Sequence, residues 1–221
     1  MHRIFRDRAE AGLVLAERLL TYARRVDVLV MALPRGGVPV GAAVAGALDV
    51  PLDVIIVRKL GVPGQEELAM GAIASGQVRV LNTDVVRELA IADAVIDRVT
   101  REEQAELERR ERSYRGERLA PAVRGQIVIL VDDGLATGAT MRAAAHAIRL
   151  QQPARVIAAV PVAAVPACAQ LRADVDEVVC VLAPEPFYGV GHWYADFSAT
   201  TDEEVRDLLR GAWNRTRPTL T

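Results

Sequence analysis

The sequence predicts an α/β fold built on a doubly wound, mainly parallel sheet. Short apolar, β-branched runs alternate along the chain with segments of helical periodicity, which is typical of parallel sheets flanked by helices. Within these runs nearly every residue is apolar, as expected of strands buried on both faces. The 221 residues are 51% hydrophobic and 25% charged, enough for a substantial core. We expect one domain over 1–221, with a helical insertion at about 83–118 and an aromatic C-terminal segment at about 184–213.

Local signals place the individual elements. Asp7 with Glu10 suits a capping box that starts the first helix, Asn82-Thr83 is typical of a helix start, and Gln152-Pro153 ends a helix. The predicted strands cover 26–33, 52–57, 69–74, 77–81, 126–131, 155–160 and 177–182. The predicted helices cover about 8–24, 38–48, 84–90, 93–114 and 139–150.

The stretch "VILVDDGLATGAT", residues 128–140, carries the strongest functional signal. Asp132 and Asp133 follow a buried strand, at the end where ligands of open α/β sheets bind. The small-residue loop after them opens a helix, so its backbone N–H groups can bind a phosphate. The loop residues are Gly134, Ala136, Thr137, Gly138, Ala139 and Thr140. We expect a sugar phosphate, with the ribose hydroxyls on the two aspartates in a polar, exposed cleft; the alternative is that both aspartates only form a turn.

Two further stretches suit a second anion. The segment Pro34, Arg35, Gly36 and Gly37 follows the first core strand and offers backbone N–H groups and a fixed charge, although Pro and Gly are also common in ordinary turns. Arg58 and Lys59 end the second predicted strand, at the same edge of the sheet. Lys59 is the only lysine in the chain, and its position could be chance.

These stretches resemble the PRPP-binding signature of type I phosphoribosyltransferases: a hydrophobic run, two acidic residues and a small/Thr-Gly-x-Thr loop. Through Phe5-Arg6-Asp7-Arg8, "LPRGGVPV", "VRKLGVP", "ELAMGAI" and "YADF", the chain is similar over nearly its full length to a bacterial phosphoribosyltransferase group of poorly defined substrates. The resemblance implies transfer of the ribose 5-phosphate of PRPP to a nitrogenous base, with release of pyrophosphate. It also implies Mg²⁺ held mainly by PRPP near Asp132 and Asp133, and a homodimer.

The resemblance assigns roles to residues. Asp132, Asp133, Lys59 and Arg35 would be catalytic, loop 134–140 would hold the 5-phosphate, and 34–37 with Arg58 and Lys59 would hold pyrophosphate. The family often has a non-proline cis peptide in the pyrophosphate loop. The stretch 60–68, with Gly64, Glu66 and Glu67, lies where the family has a mobile loop that closes over PRPP. One departure is Ala136-Thr137, where many members have Thr-Thr, so one phosphate-contacting hydroxyl is missing.

The aromatic C-terminal segment is the candidate acceptor site. Five of the nine aromatic residues fall within 187–197, in a loop rich in Pro and Gly. Phe187, Tyr188 or Trp193 could stack on a flat base. The alternative is that these rings close the core or a dimer contact, which we expect of Tyr194 and Phe197.

Composition excludes several other functions. A formal charge of −2 without a basic face argues against nucleic acid as the main partner. The apolar stretch 156–169 is too short for a membrane span, so we expect a soluble cytoplasmic protein. The cysteines and histidines lack metal-ligand spacing, which argues against a structural zinc site. A water-activating base for a sugar-phosphate hydrolase is not identifiable. The main rival is a non-catalytic regulator that senses PRPP or a nucleotide.

Two smaller expectations concern helices. The charged helix 97–118 contains three i,i+4 Glu–Arg pairs and is expected to be a solvated helix with a thin apolar edge; the alternatives are a dimer contact or a lid. His146, beside the apolar face of its helix, is expected to be structural.

Overall fold

A computed structural model describes residues 4–76 and 78–215 of the chain. The strands are β1 (Val28–Ala32), β2 (Leu52–Val54), β3 (Val57–Val62), β4 (Gln65–Ala74), β5 (Val78–Leu81), β6 (Ile127–Val131), β7 (Arg155–Val162) and β8 (Glu177–Leu182). The helices are α1 (Arg8–Glu17), α2 (Gly37–Leu48), α3 (Thr83–Glu88), α4 (Asp93–Arg115), α5 (Ala139–Leu150), α6 (Val165–Leu171) and α7 (Asp202–Arg215), with short 3-10 turns at Leu20–Tyr22 and Val190–Trp193. Gln77, the first residue of one predicted strand, lies outside the described residues.

The main sheet is parallel and has five strands in the order β2-β1-β6-β7-β8. Every residue of β1 and β6 is buried, because both faces of the sheet are covered. Alternate residues such as Val30 and Ile129 pack with α1, α2 and α7, while Leu29 and Leu130 pack with α5 and α6. Helices on both faces of a parallel sheet make a doubly wound α/β fold, so the predicted fold class is confirmed.

The region after β2 differs from the prediction. The strand predicted at 52–57 ends at Val54, and Val57 begins a separate antiparallel sheet of order β3-β4-β5. The predicted loop at 60–68 is therefore a hairpin whose turn contains Gly64 in the left-handed region, with φ +81°. Gly61 allows close pairing of the two arms, since a Cβ there would lie 2.7 Å from the Glu66 carbonyl oxygen. Cross-strand pairing overrides a glycine-rich composition that is typical of loops.

The second sheet lies between α4 and α5. On its α4 side Leu60 belongs to the same buried cluster as Ile96 and Val99. On the other side Lys59 and Val80 line a cavity against α5. Arg58 and Lys59 are consequently on β3 rather than at the carboxyl end of a main-sheet strand, which corrects the placement expected from sequence.

Helix α4 buries one edge and exposes the rest. The three expected pairs form, with N–O distances of 2.8 Å for Arg110–Glu106, 3.8 Å for Arg112–Glu108 and 3.0 Å for Arg115–Glu111. Arg115 departs from the solvated pattern, since its side chain is only 5% exposed. It donates to Asp53 Oδ1 at 2.8 Å and to the Val54 carbonyl, which ties the end of α4 to β2.

Helix α1 starts as predicted and is shorter than predicted. The Asp7 carboxylate accepts a hydrogen bond from Glu10 N at 2.8 Å, and Glu10 accepts one from Arg6 N at 2.5 Å. The helix ends at Glu17, and the 3-10 turn follows.

Among the described helices, none is both long enough and apolar enough to span a membrane.

Candidate functional site

A small cavity lies at the carboxyl end of β6, where the loop 134–138 enters α5. Its volume is about 180 Å³. It is lined by Asp132, Gly134, Leu135, Ala136, Thr137, Gly138, Ala139, Thr140, Met141 and Val190, which include every residue of the predicted phosphate loop. Gly138, which precedes the helix at φ +73°, has no side chain to cap α5, while Thr137 Oγ1 accepts from the N–H of Ala139, the first residue of the helix, at 3.4 Å. The first turn of a helix leaves N–H groups without intrahelical partners, so the start of α5 suits an anion, whose charge the helix dipole favours.

The acidic pair is largely buried instead of lying in an exposed cleft. Asp133 Oδ2 accepts from Arg8 Nε at 2.8 Å, and these two side chains are 15% and 11% exposed. Asp132 Oδ1 accepts from the Asp133 backbone N–H at 2.9 Å. Burial raises the pKa of both carboxyls, and the charge of Asp133 raises that of Asp132 further, against the opposing charge of Arg8.

The segment 34–37, between β1 and α2, packs directly on this pair. A Cβ on Gly36 would lie 2.1 Å from Asp133 Oδ2, and one on Gly37 would lie 2.7 Å from the Val131 carbonyl oxygen. Only glycine permits this approach. The Pro34–Arg35 peptide bond is cis, and the Arg35 side chain is exposed. The structure therefore brings the two predicted anion-binding loops to one place.

Arg58 and Lys59 face opposite sides of the second sheet. Arg58 Nε donates to Glu103 of α4 at 2.6 Å. Lys59 is exposed and lines a cavity of about 360 Å³ between the second sheet and α5, which Ala139 of the phosphate loop also lines. His146 lines it as well, and its Nε2 lies 2.7 Å from Asp174 Oδ1. Of the two basic residues, Lys59 is thus the one beside the phosphate loop.

The hairpin holds the three residues predicted for a mobile loop. Gly64 is in the turn, and Glu66 and Glu67 lie in β4. Glu66 Oε1 accepts from Gly64 N at 3.2 Å, which closes the turn locally. Closure over a ligand stays a prediction.

The three candidate acceptor rings have different environments. Trp193 is 5% exposed and belongs to a buried cluster with Phe5, while Phe187 packs partly buried against that cluster. Tyr188 is 72% exposed and lies 5.3 Å from the His192 ring. Tyr188 is therefore the ring among the three that could present its face to a ligand.

The N-terminal and aromatic segments meet beside the acidic pair. Phe5 N donates to the Trp193 carbonyl at 2.9 Å and Ala195 N to the Phe5 carbonyl at 2.7 Å, so the two segments run side by side. The Tyr194 hydroxyl donates to the Asp133 carbonyl at 2.6 Å. Close contact extends to the phosphate loop, since a Cβ on Gly134 would lie 2.6 Å from Val190 Cγ1.

Arg8 is a site residue that residue-level reasoning missed. Its partner Asp133 is 125 positions away in sequence. The available signal was indirect: the stretches containing Arg8 and Tyr194 both contributed to the family resemblance, and the structure places them together.

Comparisons with known proteins identify the family of the chain. The family model "Phosphoribosyl transferase domain" matches residues 8–187. Two curated Mycobacterium tuberculosis proteins (strains CDC 1551 / Oshkosh and ATCC 25618 / H37Rv), provisionally named phosphoribosyl transferases, are each 46% identical over 207 residues, covering 94% of this chain. The chain spans about half the length of these relatives, 46% of each.

Solved structures give the same result for the fold. The crystal structure of the protein TT1426 from Thermus thermophilus has a TM-score of 0.83 at 42% identity, covering 94% of this chain and 98% of that one. A Neisseria gonorrhoeae protein solved with bound ppGpp has a TM-score of 0.50 at 14% identity, covering 96% of this chain and 99% of that one, and supports the fold alone. The resemblance found in the sequence is thereby confirmed, and the chain belongs to the phosphoribosyl transferase domain family.

Proposed function

We propose that this protein transfers the ribose 5-phosphate group of PRPP to a nitrogenous base and releases pyrophosphate. The observation that carries the proposal is the convergence of three parts at one end of β6. Asp132 lines the phosphate-loop cavity, and the segment 34–37 packs against the acidic pair. A sugar carrying a phosphate at one end and a pyrophosphate at C1 needs these three parts in contact.

The chemistry follows from charge placement. The N-terminus of α5 would hold the 5-phosphate, and the N–H groups of 34–37 with Arg35 would hold the pyrophosphate. As the bond between C1 and the pyrophosphate oxygen breaks, its electron pair leaves with pyrophosphate and the ribose becomes oxocarbenium-like. The carboxylates of Asp132 and Asp133 would stabilise that positive charge. A nitrogen of the acceptor then forms the new bond to C1, so the protein needs no nucleophile of its own.

The donor set fits Mg²⁺. Within the described residues no group of three or more His, Cys, Asp or Glu side chains is arranged to hold a metal ion. Asp132 and Asp133 nevertheless offer carboxylate oxygens, and Mg²⁺ is commonly held by one or two carboxylates together with substrate phosphates. When bound, it would neutralise charge on the departing pyrophosphate.

The acceptor and the assembly are part of the same proposal. The exposed ring of Tyr188 supports stacking of a flat base near the C-terminal segment. We also propose that the protein is cytoplasmic and forms a homodimer. Size-exclusion chromatography with light scattering would check the homodimer.

The decisive experiment is pyrophosphate release from PRPP with a panel of purine, pyrimidine and other nitrogen bases, with and without Mg²⁺. Base-dependent release would support the transferase. PRPP binding by calorimetry without turnover on any base would favour the sensing alternative. A protein that binds no PRPP would contradict both. Gly211→Ala is a suitable control for substitutions in the site, because nothing lies within 4 Å of a Cβ at that position.

A further inference from the structure

Asp132 and Asp133 are adjacent in sequence but occupy different environments. Asp132 is among the residues that line the phosphate-loop cavity, and Asp133 is not. Asp133 instead extends toward Gly36 and Arg8, and its Oδ2 occupies the space that a Gly36 side chain would need. Asp132 thus lines the place of the sugar phosphate and meets the loop 34–37 at Gly37, where a Cβ would lie 3.1 Å from its Oδ1, whereas Asp133 meets the loop at Gly36.

Arg8 is held in place by more than its ion pair. Its Nε donates to Asp133 Oδ2 at 2.8 Å and its Nη1 to the Ser198 carbonyl at 2.7 Å. Its guanidinium carbon lies 3.9 Å from the centroid of the Phe197 ring and 6.0 Å from that of Tyr194. A planar cation fixed by two hydrogen bonds and an aromatic face has little freedom to leave its carboxylate.

Three chain segments meet at this guanidinium. Arg8 begins α1, Asp133 follows β6, and Phe197 with Ser198 belongs to the C-terminal segment. The pyrophosphate loop is a fourth neighbour, since a Cβ on Gly36 would lie 3.4 Å from Arg8 Nε. Movement of Arg8 would consequently disturb the carboxylate and the loop together.

We infer that Arg8 is a positioning residue that holds Asp133 against the pyrophosphate loop, residues 34–37, so that the two aspartates have different roles. Asp132 binds the ribose hydroxyls, and Asp133 fixes the loop that receives the pyrophosphate. This inference rests on the proposed function, since it assigns the division of roles within a PRPP site. It differs from treating both aspartates as equivalent ribose ligands.

The alternative for Arg8 is direct contact with PRPP. Its side chain is 11% exposed, and its Nε and Nη1 are already engaged by protein oxygens. These contacts favour an action through Asp133. The two roles give different results in a double-mutant cycle, because only a residue acting through Asp133 loses its effect when Asp133 is changed.

The test measures PRPP affinity by calorimetry for Arg8→Gln, Asp133→Asn and their combination, and for Arg8→Gln combined with Asp132→Asn. We expect Arg8→Gln to weaken binding about tenfold, the scale of one charge-assisted hydrogen bond. The Arg8→Gln/Asp133→Asn double variant should bind no more than about twofold weaker than the weaker single variant. In the Arg8→Gln/Asp132→Asn double variant, the fold-loss of PRPP affinity should equal the product of the two single-variant losses to within a factor of about three.

Conservative and control variants separate positioning from folding. Arg8→Lys keeps the charge without the planar fork, so it should recover part of the affinity lost in Arg8→Gln. Arg6→Gln removes a neighbouring exposed arginine, whose side chain is 75% exposed, and should leave affinity unchanged. If Arg8→Gln does not fold, Arg8→Lys takes its place in the same cycle.

The possible failures are distinguishable. Wild-type protein that does not bind PRPP overturns the proposed function and this inference with it. Normal wild-type binding with multiplicative losses for Arg8 and Asp133 overturns the inference alone, and so does unchanged affinity in Arg8→Gln. A strong Arg8–Asp133 coupling with partial recovery by lysine supports it.

Discussion

At the scale of single residues, the acidic pair shows how burial changes the chemistry of a simple motif. The sequence predicted two accessible acceptors, whereas the structure gives two largely buried carboxyls with raised pKa values and one arginine that opposes the rise. The position after β6 was predictable because strand and loop are local features. The Arg8 contact was not, because ion pairs between distant segments leave no local pattern.

The first prediction concerns pH. An ionised carboxylate accepts stronger hydrogen bonds from ribose hydroxyls than a neutral carboxyl does, and burial raises the pKa of the Asp132 carboxyl. PRPP affinity should therefore fall as pH falls, beginning at a pH above the ordinary carboxyl range. Calorimetry across a pH series would check this, with Asp132→Asn as the comparison. The variant should bind weakly and with less pH dependence; an equally steep profile in the variant would point to another titrating group, including the phosphates of PRPP.

The second prediction concerns Gly138. Valine there would be strained at φ +73° and would block the approach of a phosphate to the N-terminus of α5. Gly125 provides a matched control, because it has φ +74° and open space around it, outside the cavity. Gly125→Val should share the loss of stability, measured by denaturant unfolding, and keep phosphate and PRPP binding. Gly138→Val should lose stability and also lose the binding of phosphate and of PRPP. Equal ligand binding in the two variants would contradict the assignment of the loop.

At the scale of elements, predictability followed the range of the interactions. The helix 139–150 was predicted with its observed bounds, and most strands of the main sheet to within a few residues, since burial on both faces leaves a continuous apolar run. The β3–β4 hairpin was missed because Pro63, Gly64 and the flanking acidic residues are typical of a loop. Its strands form through pairing with each other and with β5, which composition does not record.

The third prediction concerns the attachment of α4. Arg115 and Asp53 form a buried pair with side chains 5% and 3% exposed, and burial raises the Asp53 pKa against the pull of Arg115. Removing one partner of such a pair leaves an uncompensated charge and costs about 3–5 kcal/mol. Arg115→Ala should therefore lower the free energy of unfolding on that scale. Arg112→Ala, one turn earlier and exposed, should change it by less than about 0.5 kcal/mol. An equally small decrease in the free energy of unfolding in both variants would mean that the Arg115–Asp53 pair contributes no more than a surface pair.

At the scale of the whole molecule, the candidate site combines distant parts of the chain. The acidic pair and the phosphate loop follow the core strand β6, and Arg8 comes from the N-terminal segment. The C-terminal segment contacts the phosphate loop through Val190 and the acidic pair through Tyr194. The sequence predicted the core parts from local pattern. The joining of residues 5–6 to 193–196 depends on backbone pairing between two distant segments, which no local pattern in the sequence records.

The last prediction separates the structural and ligand-binding roles of the aromatic segment. Trp193 lies in the buried cluster that joins the N-terminal segment to the aromatic segment, so Trp193→Ala should lower the free energy of unfolding by about 3–5 kcal/mol. Tyr188 is exposed, and Tyr188→Ala should leave stability within about 0.5 kcal/mol of wild type. If Tyr188 stacks on the acceptor, the acceptor KM should rise about tenfold while PRPP affinity stays within about twofold, since stacking on a base contributes about 1–3 kcal/mol. Steady-state kinetics with the best acceptor from the base panel, together with PRPP calorimetry, measures both quantities. Unchanged acceptor kinetics in Tyr188→Ala would place the acceptor elsewhere, because Trp193 belongs to the buried cluster and Phe187 packs against it.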